Sequence, residues 1–157
     1  MENVQFKFDS LEVRPSRASI FLKRLSAMLG LKTNLRNYSE LIIITRAGIS
    51  PLTIERLATQ EGLVRSELDW IIPQRTLSHR RSNNEPLRQD ETEKVIRLAS
   101  VLASAEMTFG EQKLATKWLR QPNKVLNGMA PLEAAQTESG AKLVEKMMVQ
   151  INEGYFA

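Results

Sequence analysis

The sequence predicts an all-α fold, from the spacing of its apolar residues and from signals at the ends of several segments. Leu143, Val144, Met147, Met148 and Ile151 recur at i, i+1, i+4, i+5 and i+8, which is the period of one broad helical stripe. Hydroxyl residues and prolines precede several such stretches and glycines follow them, as expected for helix starts and stops. Together these patterns predict a bundle of short helices.

The N-terminal part of the chain contains one predicted amphipathic helix. Met1 to Arg17 shows no sustained periodicity, so we expect it to be extended or disordered. Between Ile20 and Leu31 the apolar side chains keep a helical period beside two basic residues: Phe21, Leu25, Met28 and Leu29, with Lys23 and Arg24. A basic stripe of this kind could contact DNA or a membrane surface, but packing onto its own protein is the default expectation.

A second apolar run, Leu41 to Ile44, has the β-branched composition of a strand. Every convincing segment after it is helical. We therefore expect a buried helical turn that ends at Gly48. Residues 1–48 as a whole are predicted to form a variable, basic N-terminal region.

Three short helices are predicted between Ser50 and Arg81. Ser50-Pro51 starts the first, whose buried face is Leu52, Ile54, Leu57 and Ala58, and Gly62 ends it. Leu63 to Ile72 forms the second, and Pro73 separates it from the third, Gln74 to Arg81. This spacing is typical of a helix-turn-helix, with the third helix as recognition helix, although composition alone fits a basic solvated helix in a bundle equally well.

In that third helix Leu77 should face the core and the polar residues should face outward. The outward residues are Gln74, Arg75, Thr76, Ser78 and Arg81, with His79 and Arg80 in the same basic cluster. Arginine pairs with guanine edges and phosphates, and glutamine pairs with adenine edges. These seven residues are the predicted DNA-binding set.

Two further helices precede the C-terminal part. Ser82 to Gln89 is a polar loop, and Asp90, with Glu93 three residues later, predicts the capped start of a long helix to Phe109, ended by Gly110. Glu111 to Arg120 forms the next helix, with Leu114, Trp118 and Leu119 on its apolar side, and Pro122 stops it.

The last 40 residues carry the most consistent local signals. Asn127-Gly128 predicts a turn, Pro131 the first position of a short helix to Ala135, and Thr137 the cap of the last helix, which Gly154 should end in the left-handed conformation. Tyr155 and Phe156 then form an aromatic tail. Composition favours their folding back onto Met147 and Ile151, and the alternative is insertion into a partner protein.

The composition argues against several functional classes, namely disulfide-bonded, membrane-spanning, metal-binding and catalytic proteins. The chain has 157 residues, no cysteine and a sequence pI near 9.6, and its first 46 residues hold eight Lys and Arg against four Asp and Glu. The absence of cysteine fits a reducing cytoplasm, and no apolar run approaches the roughly 20 residues that span a bilayer. His79 has no partner at metal-ligand spacing, and no phosphate loop or acid–base pair stands out. We therefore expect no catalytic residue, metal or cofactor, no membrane contact, and a cytoplasmic protein that is not an enzyme.

The C-terminal pattern resembles the toxin-binding domain of the Xre/MbcA/ParS family of antitoxins, and the resemblance runs from about Ser50 to the last residue. It is carried by Trp118-Leu119-Arg120, Pro122-Asn123, Leu126, Gly128, Pro131-Leu132, Thr137, Gly140-Ala141, Val144 and the ending Gly154-x-Phe156-Ala157. Relatives also carry a Cro-like helix-turn-helix with an Arg-Thr-Leu core like Arg75-Thr76-Leu77. Ile71 departs from the small turn residue of many relatives, which implies a less regular turn and weaker DNA binding.

The resemblance implies a division of the chain and a set of partners. The protein would form a homodimer and bind operator DNA through residues 49–88. Residues 111–157 would bind a RES-domain toxin that depletes NAD, and residues 89–110 would form the helix that connects these two parts. The tail would block the toxin's cleft, which reverses the preference stated for Tyr155 and Phe156. The implied toxin-binding residues are Arg120, Asn123, Met148, Ile151, Asn152, Glu153, Gly154, Tyr155, Phe156 and Ala157. The alternatives are a helix-turn-helix repressor without a toxin partner and a protein-interaction adaptor.

Overall fold

The computed structural model describes residues 14–155, and over that range the chain contains α-helices and no strand, which confirms the predicted all-α class. Met1 to Arg17 was predicted to be extended or disordered; residues 1–13 of this stretch lie outside the described part, and Arg17 is instead the first residue of a helix. The tail residues Phe156 and Ala157 also lie outside the described part. The helices are α1 Arg17–Met28, α2 Ser39–Ala47, α3 Leu52–Glu61, α4 Gln74–Ser82, α5 Gln89–Phe109, α6 Gln112–Leu119, α7 Pro131–Ala134 and α8 Glu138–Asn152. Two 3-10 turns, Arg65–Glu67 and Lys124–Leu126, lie between them.

The long helix α5 forms the centre of the fold. It packs against α1, α2, α6 and α8. From Lys94 to Phe109 every residue is buried or half-buried, so this part of the helix has no fully solvated face. Its 21 residues span about 31 Å at 1.5 Å per residue. The alanines and valines along it let neighbouring helices approach closely on several sides.

One hydrophobic cluster runs through the described chain, from Leu22 in α1 to Met148 in α8. The amphipathic helix predicted between Ile20 and Leu31 is α1, and its apolar stripe packs on α5 rather than facing solvent. The four predicted segments therefore share one core, and their division by function stays a prediction.

Several helix ends follow from local sequence as predicted. Gly62 and Gly110 have positive φ angles of 64° and 73° after α3 and α5. Pro131 occupies the first turn of α7. The Thr137 hydroxyl accepts a hydrogen bond from Gly140 N–H at 3.0 Å and so caps α8.

The prediction of a helix from Leu63 to Ile72 is wrong. It contains only the 3-10 turn Arg65–Glu67, followed by irregular turns. Glu67 accepts the Val64 N–H at 2.9 Å, and Arg65 donates to the Ile72 carbonyl at 2.7 Å. These two bonds close the segment on itself within ten residues, so no continuous helix forms. Ile71 is part of the buried core.

The predicted start of α5 is shifted. Arg88 N–H donates to the carboxylate of Glu91 at 2.7 Å, so Arg88 and Glu91 form the cap, and Asp90 lies in the first turn. Glu93 accepts instead from the Gln89 side chain at 3.1 Å. The carboxylate of Glu91 is also paired with Arg80, which fixes it at this position.

The predicted burial of the run Leu41 to Ile44 is wrong. The run is helical and ends at Gly48 as expected, but no residue of α2 is buried, and Ile42 and Ile43 are 56% and 68% exposed. Three other residues predicted on apolar faces, Leu52, Leu114 and Leu143, are also exposed. In each case the helix is present and its orientation places these side chains at the edge of the buried face or outside it.

Candidate functional site

The C-terminal end of α8 presents an aromatic side chain to solvent. Gly154 has a φ of 80°, its N–H donates to the Ile151 carbonyl, and Tyr155 N–H donates to the Gln150 carbonyl, both at 3.1 Å. This pair of bonds is the Schellman motif, which satisfies the last carbonyls of a helix and sets the direction of the chain that follows. Tyr155 is 75% exposed, so it does not fold back onto Met147 and Ile151.

Five of the predicted toxin-binding residues form one continuous stretch at this end. Ile151 is half-buried, and Asn152, Glu153, Gly154 and Tyr155 are exposed. The Asn152 amide donates to the Thr108 hydroxyl at 3.2 Å, which ties the stretch to the end of α5. Phe156 and Ala157 follow outside the described residues.

Three other residues of the predicted toxin-binding set have partners inside the fold. Met148 is buried in the core. Asn123 caps the 3-10 turn Lys124–Leu126 by accepting the Val125 N–H at 2.8 Å. Arg120 makes two hydrogen bonds to the carboxylate of Glu67, at 2.7 and 2.8 Å. Each of these side chains therefore has a structural role in the chain itself.

A groove that the sequence did not reveal lies beside Ile151. It has a volume of about 460 Å³, and Phe109 and Trp118 form part of its wall with ring centroids 5.3 Å apart. Met147 and Ile151 line it from α8, and Val125 lines it from the 3-10 turn. Because its lining comes from four separate parts of the chain, no single stretch of the sequence signals it.

A second groove, of about 500 Å³, lies on the other side of α8. Phe21 and Tyr38 line it, with stacked rings 6.3 Å apart, and so do Leu41, Met148 and Asn152. Glu145 also borders this groove, and burial raises the pKa of its carboxyl above the ordinary value. Helix α8 therefore has an apolar groove on each side of it.

The predicted recognition helix α4 has an exposed polar face. Gln74, Arg75, Ser78, His79 and Arg81 are exposed, and Thr76 is half-buried. Leu77 is buried, as predicted. The Arg81 guanidinium forms an ion pair with Glu55 of α3, so that this charge is partly neutralised in the free chain.

Arg80 is separated from the rest of the predicted DNA-binding set. It is only 8% exposed, and its guanidinium pairs with Glu91 of α5, with an Nε to Oε2 distance of 3.0 Å and a hydrogen bond from Nη2 to Oε1 of 3.1 Å. Glu85 lies 3.6 Å away on another side. Arg80 therefore joins α4 to α5, and we leave it out of the proposed DNA-contacting surface.

Within residues 14–155 no group of three His, Asp or Glu side chains could hold a metal ion, and no helix there is long and apolar enough to cross a membrane. One acidic group is perturbed. Burial, followed by a hydrogen bond with Glu106, raises the pKa of the Glu61 carboxyl to about 7, while a hydrogen bond from Gln112 opposes the shift. These groups lie between α3, α5 and α6, and Glu61 and Gln112 line a groove of about 420 Å³ there.

The chain is similar in sequence to known proteins of one family. The profile described as the antitoxin Xre/MbcA/ParS C-terminal toxin-binding domain matches residues 104–154, which contain α6, α7, α8 and Gly154. Antitoxin Xre of Pseudomonas putida is 37% identical over 108 residues, covering 69% of this chain and 68% of that protein. The chain belongs to the Xre/MbcA/ParS family of antitoxins. It is therefore an antitoxin of a toxin–antitoxin system, with a toxin as partner.

Two other relatives are similar over a shorter range. A protein named Prs ADP-ribosylating antitoxin, from a Sphingobium species, is 30% identical and covers 52% of this chain and 57% of its own length. Antitoxin Xre of Yersinia enterocolitica is 31% identical and covers 55% of this chain and 59% of its own length.

Proposed function

We propose that this antitoxin neutralises a RES-domain, NAD-depleting toxin by inserting its aromatic C-terminal tail into the toxin's active-site cleft. The exposure of Tyr155 at the end of a capped helix carries this proposal. A tyrosine combines a large apolar ring with a polar hydroxyl, so the exposed Tyr155 is suited to contact with a partner protein. The matched toxin-binding domain ends at Gly154, directly before it.

The backbone at this end favours binding. The two Schellman hydrogen bonds fix the direction in which the chain leaves α8, and Asn152 is held to Thr108. A segment whose direction is already set loses less conformational entropy when it enters a cleft. The groove lined by Phe109, Trp118 and Val125 adds apolar surface next to the tail for further contact with the toxin.

Deleting Gly154 to Ala157 tests the proposal. Cells that express the toxin with the truncated antitoxin should stop growing and lose NAD, whereas cells with the full chain should not. Substituting the exposed Ile43 of α2, which lines neither of the grooves beside α8, is the matched control and should leave neutralisation intact. Full protection by the truncated chain would contradict the proposal.

The Sphingobium relative supports a second candidate partner. Its name refers to ADP-ribosylation, a reaction that also consumes NAD but transfers ADP-ribose to an acceptor protein. Incubating the purified toxin with NAD, in the presence and absence of a protein extract, separates the two. A toxin that depletes NAD in the absence of the protein extract is of the RES kind. A toxin that transfers ADP-ribose from labelled NAD to proteins of the extract is an ADP-ribosyltransferase. In both cases the tail would occlude an NAD-binding cleft.

We also propose that the chain binds DNA of its own promoter through the exposed face of α4, as a homodimer. Arg75 and Arg81 supply positive charge, and Gln74 and Ser78 supply hydrogen-bonding groups on the same exposed helix. Two such helices, one from each copy, would bind half-sites about one helical turn apart. The Arg81–Glu55 pair has to open for Arg81 to reach a phosphate, which lowers the net gain from that interaction.

Substituting Arg75 and Arg81 by alanine tests this second part. Affinity for a duplex of the promoter should fall, and the slope of log affinity against log salt should flatten by about 0.9 for each phosphate that the variant no longer neutralises. Arg36 is also an exposed arginine with a carboxylate partner, Glu40 of α2. Arg36→Ala is therefore the control and should leave the affinity and the salt slope unchanged. Unchanged affinity and slope in the double variant would show that α4 does not bind DNA.

A further inference from the structure

The groove of about 500 Å³ beside α8 lies between α1 and α8, which both pack on α5. Helix α5 contributes two small residues to its lining, Ser100 and Ser104. The apolar part of the lining comes from all four surrounding helices and the residue before α2: Phe21, Tyr38, Leu41, Met107, Met148 and Val149. Single exposed apolar residues are ordinary at a protein surface, whereas an apolar groove is typical of a binding site. Residues 14–155 leave this groove unfilled.

Two charged side chains also line the groove, one of each sign. Arg17, the first residue of α1, is exposed, and Glu145 of α8 is half-buried. Neither forms an ion pair within residues 14–155. Burial raises the pKa of the Glu145 carboxyl, and Lys142 opposes this only in part, because Lys142 pairs with Glu138. A cation near Glu145 would therefore complete the electrostatics of this groove.

The chain before α1 has the composition that this groove requires. Val4, Phe6 and Phe8 alternate with polar residues, so an extended chain places these three side chains on one face. Lys7 and Asp9 fall on the opposite face, and their charges are opposite to those of Glu145 and Arg17. An extended conformation is one of the two predicted from the sequence for Met1 to Arg17.

The position of this segment in the chain also favours it. Arg17 and Ala18 line the groove, so the residues before α1 begin at its edge. Residues 9–15 reach about 24 Å when extended, which exceeds the roughly 12 Å of α5 from Ser100 to Thr108 along the groove. A segment tethered this closely has a high effective concentration at the groove.

The C-terminal tail is a less suitable occupant of the groove. It also starts nearby, because Asn152 belongs to the lining. However, Gly154 to Ala157 contains no cation that could pair with Glu145. Tyr155 is 75% exposed, so the first side chain of the tail lies outside the groove.

We propose that residues 4–9 lie extended in this groove, with Phe6 and Phe8 between α1 and α8 and with Lys7 beside Glu145. The segment then joins α1 to α8 and supports the part of α8 that leads to the aromatic tail. The contact from the Asn152 amide to the Thr108 hydroxyl lies in the same lining and is covered by it. The N-terminal region is therefore a structural support of α8 and not a separate basic arm.

Cross-linking of the full chain tests this placement, because a chain without cysteine allows introduced thiols to be linked specifically. Gln5→Cys is combined with Val149→Cys, in this groove, or with Val125→Cys, in the groove beside Trp118. The two valines are matched, since both are 52% exposed. With a short bis-maleimide reagent, the pair that includes Val149→Cys should link within one chain roughly tenfold faster than the other.

Equal rates for the two pairs overturn the proposal. Links between two chains that become more frequent with protein concentration also overturn it, because they assign the groove to a second copy. Deleting Gly154 to Ala157 should leave the preference for Val149→Cys unchanged. If the deletion raises the rate at Val149→Cys severalfold, the tail had occupied the groove, and the proposal is wrong.

Substitutions in the segment separate its side chains from its tether. Phe6→Ala with Phe8→Ala should reduce the preference for Val149→Cys to about that of the Val125→Cys pair, and amides of residues 145–152 should exchange faster. Ile42→Ala with Ile43→Ala removes exposed apolar side chains outside the groove and should change neither measurement. Lys7→Glu should lower the preference, and adding Glu145→Lys should restore it. An unchanged preference in the double phenylalanine variant, or no restoration by Glu145→Lys, contradicts the proposed contacts.

Discussion

Arg80 and Arg81 are adjacent in the chain but have different surroundings. Arg80 is buried against Glu91, whereas Arg81 is exposed and pairs with Glu55 at the surface. A buried ion pair that loses one member leaves an uncompensated charge, and a surface pair contributes little. The two arginines therefore separate the stability of α4 from its proposed binding to DNA.

Substituting each arginine by alanine should show this separation. Arg80→Ala should lower the free energy of unfolding by about 3 kcal/mol, and Arg81→Ala by less than about 1 kcal/mol. Urea denaturation measures both. Only Arg81→Ala should weaken DNA binding at a temperature where each variant is folded. Equal losses of stability would contradict the assignment of Arg80 to the fold.

Glu61 should make stability depend on pH. Burial, followed by the hydrogen bond with Glu106, raises its pKa from 4.5 to about 7. Because the folded-state value is the higher one, the stability that Glu61 contributes is present in full below about pH 4.5 and is lost as the pH rises through about 7. Glu61→Gln, which cannot ionise, should therefore gain stability relative to the wild type over this range and keep a constant advantage above it.

Thermal unfolding of both proteins between pH 4 and 8 checks the expectation, and parallel curves would contradict it. Glu40→Gln is the control, because the pKa of Glu40 is shifted in the opposite direction from that of Glu61. Its pKa is lowered, first by the hydrogen bond from the Arg36 backbone, so its contribution is lost as the pH falls. Glu40→Gln should not show a relative gain between pH 4.5 and 7.

At the scale of single elements, the proposed insertion of the tail into the toxin depends on the end of α8. Gly154 has a φ of 80° with no atom near the position of an added Cβ, so an alanine there meets only backbone strain. Gly154→Ala should lower the free energy of unfolding by about 1 kcal/mol, and it should weaken toxin binding because the Schellman motif directs Tyr155. Gly128, with a φ of 86° and equally open surroundings, is the matched control.

Gly128→Ala should cost similar stability and leave toxin binding unchanged. Thermal unfolding and titration with the toxin measure the two effects. If both glycine variants bind toxin as the wild type does, the direction of the tail is not set by the motif.

Sequence patterns predicted helix ends better than helix surroundings. Thr137, Pro131 and Gly154 act on neighbours a few residues away, so their effect is present in the sequence itself. The exposure of Ile42 and Ile43 depends on which helices cover α2, and the burial of Arg80 depends on a carboxylate eleven residues away in another helix. The groove beside Trp118 likewise combines α5, α6 and α8, and no single stretch predicts it.

The whole molecule should unfold as one unit, because one hydrophobic cluster joins its helices. Arg97 of α5 adds to this, since its guanidinium lies 5.9 Å from the Trp70 ring and also donates to the Gln136 carbonyl at 2.8 Å. The chain has two tryptophans, Trp70 before α4 and Trp118 in α6. Each reports on one of the two predicted functional segments.

Trp118→Phe leaves Trp70 as the only tryptophan fluorophore, and Trp70→Phe leaves Trp118. In each variant, fluorescence and far-ultraviolet circular dichroism should give coincident urea transitions, as expected for two-state unfolding. A fluorescence transition that precedes loss of helix in either variant would indicate that the two segments have independent stability.

The burial of α5 along its length has a mechanical consequence. A solvent-exposed helix that connected two separate domains could bend. Helix α5 is enclosed by α1, α2, α6 and α8, so it can transmit only small shifts between these neighbours. The antitoxin would then hold toxin and promoter at one fixed separation and angle. Any coupling between the two proposed binding surfaces would have to pass through changes of side-chain contacts, because α5, in which no residue from Lys94 to Phe109 is exposed, provides no hinge.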